Sequence, residues 1–322
     1  MPLHPMIASA LAVAKHAPAY ETLPLPEVRR RAKQGYVYAE NTKVLDVEEL
    51  AVPGPDGDIN VRIYRPFDQG VLPALVFFHG SGFCILDLDT HDEICRSLCF
   101  NANCVVLSVD YALAPEARYP RGIDDSFNAT AWIMENAASL GIDEGKVVLS
   151  GDSAGGNMAT VTAMRMRDEG RVLPAGLLLF YPVTEHYDAQ HRSYESFGTG
   201  FGLSANTMRW FWGLYLGEYP DTNCWSISPA RGSLRNLPPT YVQTAEFDVL
   251  RDEGEQFVRR LQQDLVPVKW KRADGLNHGY LRWMGAIDEA TIKMLEACEW
   301  LSRLWSRDQG NPTAETTGKA AS

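Results

Sequence analysis

The sequence predicts an α/β protein with a mostly parallel central sheet covered by helices on both faces. Two patterns carry that prediction. Short runs at 75–78, 105–109 and 177–181 are almost wholly apolar, as strands buried on both faces are. Stretches of helical periodicity alternate with them along the chain. The size fits: 322 residues, 45% of them hydrophobic, can bury a large core.

Taken in order, residues 1–50 read as amphipathic helices interrupted by Pro24 and Pro26, with 27–34 charged and solvated. Val52-Pro53-Gly54-Pro55-Asp56-Gly57 is a turn cluster. Residues 59–64 alternate apolar and polar, as a half-buried strand does. The strand at 75–78 is followed by a helix at 91–100, the strand at 105–109 by a helix at 124–136. A strand begins at 146 and leads into another helix. Further strands are expected at 177–181, 240–245 and 268–271. The last helix spans 288–305, with Ile292, Leu295, Ala297, Cys298, Trp300, Leu301 and Leu304 as its apolar face.

Residues 184–236 break the alternation. They hold no clear strand and are crowded with aromatics, and Ser204 is placed to cap a helix carrying Trp210. An insertion between two sheet strands lies on the catalytic side, so 184–236 is expected to form a helical cap together with 1–50. Residues 51–183 and 237–309 then make the catalytic α/β domain. The tail, 310–322, lacks periodicity and is expected to be disordered.

Bulk properties exclude several classes. A net charge of -11 without a long basic run argues against nucleic-acid binding. The six cysteines (Cys84, Cys95, Cys99, Cys104, Cys224, Cys298) form no C-x-x-C pair and no zinc-like spacing with histidine. No metal site is expected, and the thiols suit a reducing compartment. The apolar run at 7–14 is short, lacks a preceding charged region and is followed by Lys15, unlike a signal peptide. No stretch is long enough to span a bilayer. The expectation is a cytoplasmic protein with no membrane partner.

The chemistry centres on Gly151-Asp152-Ser153-Ala154-Gly155, a G-x-S-x-G run between a strand and a helix. Such a nucleophile elbow leaves the serine hydroxyl at the apex of a strained turn. Gly151 and Gly155 let strand and helix approach, and the helix N-terminus aims free amides at a developing oxyanion. A serine needs a base, and the base needs an acid to orient it. His278, before the final helix in a loop of Asp274-Gly275-Leu276-Asn277-His278-Gly279, is the base candidate; Asp248, just past the strand at 240–245, is the acid. Asp252 reads instead as a helix cap. The order Ser153, Asp248, His278 is that of α/β-hydrolases. Small residues in His79-Gly80-Ser81-Gly82-Phe83 would let amides reach the substrate, so Ser81, Gly82 and Ala154 are the expected oxyanion donors. Phe83, Asp152, Phe201 and Trp210 are expected around an apolar substrate pocket.

These residues closely resemble the hormone-sensitive-lipase-like esterases, also called bacterial family IV. The matching stretches are His79-Gly80-Ser81-Gly82-Phe83, Asp87-Leu88-Asp89-Thr90-His91-Asp92, Asp110-Tyr111-Ala112-Leu113-Ala114-Pro115-Glu116, the elbow through Gly156-Asn157, Asp248-Val249-Leu250-Arg251-Asp252-Glu253-Gly254 and Asn277-His278-Gly279-Tyr280. The resemblance runs from about residue 59 to the last helix. It implies an α/β-hydrolase fold with a helical cap, hydrolysis of short- to medium-chain carboxylic esters, no cofactor and frequent dimers. It also implies Ser153, Asp248 and His278 as the triad. The family usually has glycine at position 81; serine there would carry strain if φ were positive, and its side chain could narrow the site or add a donor. An amidase or lactone hydrolase with the same triad stays open, as does a non-catalytic small-molecule-binding module, against which the presence of His278 counts. An interfacial lipase is disfavoured by the lack of an amphipathic basic lid. The edge strand at 268–271 could pair with a second copy in a homodimer.

Overall fold

The computed structural model describes residues 1–35, 38, 41–68, 70–219 and 221–306. The expected disordered tail at 310–322 lies outside them. Among the described residues, eight strands form one sheet in the order β1-β2-β4-β3-β5-β6-β7-β8. The strands are β1 (Asp46–Gly54), β2 (Gly57–Arg65), β3 (Leu72–Phe78), β4 (Val105–Val109), β5 (Ile142–Asp152), β6 (Gly176–Phe180), β7 (Thr240–Phe247) and β8 (Val268–Asn277). From β4 to β8 across the sheet every pairing is parallel; β1 and β2 form an antiparallel hairpin, and β2 also meets β4 antiparallel.

Helices α1 (Pro5–Ala14) and α2 (Leu25–Gln34) precede the sheet. Then come α3 (Asp92–Ala102), α4 (Arg121–Glu135), α5 (Ala154–Asp168), α6 (Ser193–Ser196), α7 (Ala205–Leu216), α8 (Arg251–Gln263) and α9 (Asp288–Ser306). The strands read as continuous apolar runs because both faces are buried. In β3, Ala74, Val76 and Phe78 enter one core with α4, α5 and α8. Leu75 and Phe77 enter the other, with α3 and α9. That is the two-residue period of a strand serving two helical layers at once.

Several boundaries differ from the sequence reading: β5 begins at Ile142, before the expected 146, α4 begins at Arg121, before the expected 124, and two further differences change the kind of element. Residues 46–50 are strand, not helix: β1 pairs with β2 through the hairpin at Pro55-Asp56. Its side chains are mostly exposed and show no alternating buried face, so the ladder forms by backbone pairing and leaves little hydrophobic signature. Strand β8 runs on through Asp274-Gly275 to Asn277, where a flexible loop was expected. A register shift between Ala245 and Phe247 lets the pairing resume at Phe247 and Asn277. A bulge of this kind absorbs a glycine that otherwise reads as a turn.

Pro24 and Pro26 start α2 instead of ending a helix, since proline is tolerated in a first turn. This helix is also not simply solvated. Val28 and Ala32 are buried, while Arg29 bonds Cys84 O at 2.9 Å, Ala114 O at 3.1 Å and the Glu116 carboxylate at 2.7 and 2.8 Å. The Ser204 cap forms as expected. Its hydroxyl accepts the Thr207 amide at 2.9 Å, a bond whose loss typically costs about 1 kcal/mol.

The C-terminal ends of β3, β5, β6, β7 and β8 lie side by side along one edge. That edge is where ligands bind in open parallel sheets. Ser193, Phe201 and Phe211 reach it. Phe211 lies against Gly82 after β3, the Phe201 carbonyl accepts from Asn277 at 2.8 Å at the end of β8, and Ser193 Oγ donates to Val249 O at 2.6 Å after β7.

Candidate active site

Ser153 sits between β5 and α5 with φ 53° and ψ -119°, a conformation a non-glycine residue holds only when its surroundings impose it. The surroundings do so through the backbone. The Ser153 amide donates to Phe180 O at 2.9 Å, and its carbonyl accepts from Val183 at 3.0 Å and Gly156 at 3.0 Å. The glycines permit the crossing: a Cβ on Gly151 would collide with Gly155, and one on Gly155 would collide with Phe78 O. Asn157 braces the helix start by donating to Val183 O at 3.2 Å and Ile227 O at 3.0 Å.

The structure brings the three predicted reactive side chains into one line. His278 Nε2 is 2.9 Å from Ser153 Oγ, and His278 Nδ1 is 2.8 Å from Asp248 Oδ2. A carboxylate can only accept, so Nδ1 carries the proton and Nε2 is left to accept from the serine. Asp248 is 1% exposed, and its other oxygen accepts the Leu250 amide at 2.9 Å. The ring of Tyr181, itself at φ 35°, meets the His278 imidazole edge-on at 4.9 Å. Asp252 is not the helix cap expected: α8 starts at Arg251, so Asp252 lies within its first turn, and the Asp252 carboxylate accepts the Ser193 amide at 2.9 Å.

The loop after β3 lies beside the elbow. The amides of Ser81, Gly82 and Ala154 donate to no acceptor among the described residues, which leaves them free for an oxyanion. Ser81 is not in the left-handed region; Gly82, at φ 52°, and Phe83, at φ 66°, are. The strain considered for serine therefore falls on Phe83. Nor does the Ser81 side chain narrow the site or offer a donor to it: the residue is 3% exposed and its Oγ is engaged with Phe83 N and Tyr111.

Two of the four expected pocket residues face elsewhere. Asp152 is buried beneath the loop, where Oδ1 accepts the Gly80 amide at 2.6 Å and lies 3.2 Å from His91 Nε2. Burial pushes its carboxyl up, but the charge and hydrogen bond of His91 and the Gly80 amide outweigh that and hold it below the usual carboxylate range. This carboxylate thus ties the residue before Ser153 to the residue before Ser81 in the loop after β3. His79 stacks on Tyr111 at 4.6 Å; burial and the nearby His91 hold its imidazole down at about 4, so it is neutral at pH 7. Phe83 is 1% exposed, stacked on Tyr215 at 4.1 Å and tilted against Trp212. Phe201 and Trp210 stay half-buried. Phe201 stacks on Phe247, next to Asp248, and Trp210 packs on Phe211. A polar cleft of about 690 Å³ lies apart from all of these, lined by Gln190, Arg192, Arg231, Gln256 and Arg259 among others.

Sequence reasoning missed the residues that support the line and the loop. Tyr111, His91 and Glu253 all fall within stretches singled out above, but nothing in their spacing assigned them a task. Glu253 Oε1 accepts the Thr184 and Glu185 amides at 2.9 and 3.3 Å, and the Tyr194 hydroxyl lies 3.4 Å from Oε2. Burial pushes its carboxyl well above the ordinary 4.5. The unfolded chain ionises near that ordinary value while the folded one keeps its proton. The associated stability is complete below 4.5 and declines as pH rises toward the folded pKa. Glutamine keeps a carbonyl for the two amides. A Glu253→Gln variant is therefore expected to lose less stability than wild type between about pH 5 and pH 8, read as urea midpoints. Equal losses would contradict this account of Glu253.

A family model described as alpha/beta hydrolase fold matches residues 75–282. The carboxylic ester hydrolase LipN of Mycobacterium tuberculosis is 41% identical over 244 residues; the match covers 74% of this chain and 65% of LipN, just under two thirds of that protein. An ethyl acetate hydrolase of Pseudomonas putida is 34% identical over 263 residues, covering 79% of this chain and 82% of its own length. A hyperthermophilic esterase from the archaeon Pyrobaculum calidifontis superposes with a TM-score of 0.91 at 34% identity, covering 95% of this chain and 99% of that one.

Proposed function

The chain belongs to the alpha/beta hydrolase fold family, in its hormone-sensitive-lipase-like branch, and from that premise we propose that it is a serine carboxylesterase acting on short- to medium-chain esters. The observation that carries the reading is the hydrogen-bonded line Ser153–His278–Asp248 beside three unengaged amides.

In this reading His278 takes the Ser153 proton as Ser153 attacks the ester carbonyl. The amides of Ser81, Gly82 and Ala154 receive the oxyanion. His278 then protonates the leaving alcohol, and water activated by the same imidazole releases the acid from the acyl-enzyme. Asp248 holds the tautomer and stabilises the imidazolium. Residues 184–236, with α1 and α2, act as a cap whose half-buried Phe201 and Trp210 border an apolar acyl site. An uncharged acyl group fits such walls better than a charged one. The name of the Pseudomonas putida relative points to small acyl groups.

The test is hydrolysis of p-nitrophenyl esters from acetate to palmitate. Rates peaking at short or middle chains are expected. A maximum on palmitate, with a jump above its solubility limit, would contradict the acyl range. No ester hydrolysis at any length would turn attention to amides and lactones.

Two further readings accompany this one. Strand β8 is a sheet edge that carries the exposed Trp270, which supports pairing with a second copy. A monomer by light scattering at assay concentration would count against it. All six cysteines are free, which supports a reducing, cytoplasmic setting; recovery of the protein outside the cytoplasm on fractionation would contradict that. No helix among the described residues is long and apolar enough to cross a membrane.

A further inference from the structure

The loop carrying two of the three free amides must hold its shape with little help from regular structure. Gly82 and Phe83 both have positive φ, and for Phe83 that conformation is strained. Something has to hold them there. The Phe83 ring is fixed from the cap side by Tyr215 and Trp212. From beneath, the fixing group is the hydroxyl of Ser81, the residue that departs from glycine.

Ser81 Oγ accepts the Phe83 amide at 2.8 Å. It also lies 2.7 Å from Tyr111 Oη, which lies 2.6 Å from the His79 carbonyl. The carbonyl can only accept, so Tyr111 donates to it, and Ser81 must donate to Tyr111. Every hydrogen is thereby assigned: Phe83 N–H to Ser81, Ser81 O–H to Tyr111, Tyr111 O–H to His79. The chain closes the loop from its first residue to its last, and all of it is buried. Buried networks with every member satisfied are stiff, and one with a missing member leaves a polar group unpaired.

We propose that the Ser81 hydroxyl, clasped to Tyr111, is a positioning element that holds the backbone amides of Ser81 and Gly82 toward the oxyanion. The inference rests on the esterase reading above, and it concerns the Ser81 side chain alone, separately from its amide. Glycine at 81 would keep the amide and lose the clasp. Tyr111 is anchored to the end of β4 and stacked on His79, so it transmits the rigidity of the sheet to a loop that otherwise follows the cap.

The test uses the full chain with Ser81→Ala, Ser81→Gly, Tyr111→Phe and the Ser81→Ala/Tyr111→Phe double variant, on p-nitrophenyl butyrate. A clasp that positions donors acts on the transition state and leaves ground-state binding alone. Expected for Ser81→Ala is a fall in kcat of roughly ten- to a hundredfold, less than the effect of deleting a donor outright, with KM within about twofold. Tyr111→Phe should show the same split, and the double variant should fall little further than the worse single one, because each breaks the same chain. Ser81→Ala is the conservative arm should Tyr111→Phe fold poorly. Wild-type kcat in both Ser81→Ala and Ser81→Gly would overturn the proposal, as would losses carried by KM or multiplying in the double variant. Inactivity of the wild-type protein itself would count against the esterase reading instead.

Discussion

A Ser153→Ala variant is expected to lose at least about four orders of magnitude in kcat on p-nitrophenyl butyrate while keeping its melting temperature within a few degrees. The side chain removed is the proposed nucleophile, so no acyl-enzyme can form. What remains is the background hydrolysis that the amides of Ser81, Gly82 and Ala154 can still assist. Stability should change little. The backbone bonds that impose φ 53° at this position, from its amide to Phe180 O and from Val183 and Gly156 to its carbonyl, involve no side-chain atom. Steady-state kinetics beside a thermal melt would check both halves. A variant retaining a tenth of the wild-type rate would show that the nucleophile is elsewhere.

The second large effect is expected from Asp248→Asn, and its mechanism follows from one hydrogen bond. The Leu250 amide donates to Asp248 Oδ1. In the variant that amide still needs an acceptor, so the asparagine carbonyl takes the Oδ1 place and the amide nitrogen faces His278 Nδ1. Two donors cannot share that contact. The imidazole is driven to its other tautomer, with the proton on Nε2, where it can no longer accept from Ser153. A fall in kcat on the order of ten-thousandfold is expected, with KM changed far less. Kinetics across the ester series would measure it. A loss below tenfold would contradict the role given to Asp248.

Ser153, Asp248 and His278, the residues of the hydrogen-bonded line, were legible because their chemistry is distinctive and each lies at a strand end. Ser153 announces itself through the glycines around it, and the same glycines are the ones whose Cβ atoms would collide. Asp248 and His278 each follow a strand, and a parallel sheet brings such positions to one edge. What escaped was what depends on contact across long separations. Asp152 neighbours Ser153 in sequence and so was expected near substrate. Its partners, Gly80 and His91, lie 72 and 61 positions away, and they turn its carboxylate inward. Phe83 looked like a pocket wall because it is aromatic and close to the free amides; Tyr215 and Trp212 of α7 bury it.

The same limit applies to the fold. Strands β3, β4 and β6 could be read because burial on both faces leaves a continuous apolar run. Strand β1 could not, since its pairing with β2 is a matter of backbone bonds with the side chains mostly in solvent. The extension of β8 through Asp274-Gly275 depends on a bulge within β8, where the stretch from Ala273 to Asn277 opposes the shorter stretch from Ala245 to Phe247, so a glycine that reads locally as a turn is absorbed by pairing with a distant strand.

The central claim is that Ser153 becomes covalently acylated with His278 as its base. Diethyl p-nitrophenyl phosphate tests it most directly, because it phosphorylates a serine activated by an adjacent base far faster than an unactivated one. Intact-mass and peptide mass spectrometry should find one diethylphosphoryl group per chain, on the peptide carrying Ser153, with matching loss of esterase activity. His278→Ala should label far more slowly. Full inactivation with the label on another residue, or ester turnover that persists when Ser153 is fully labelled, would contradict the account.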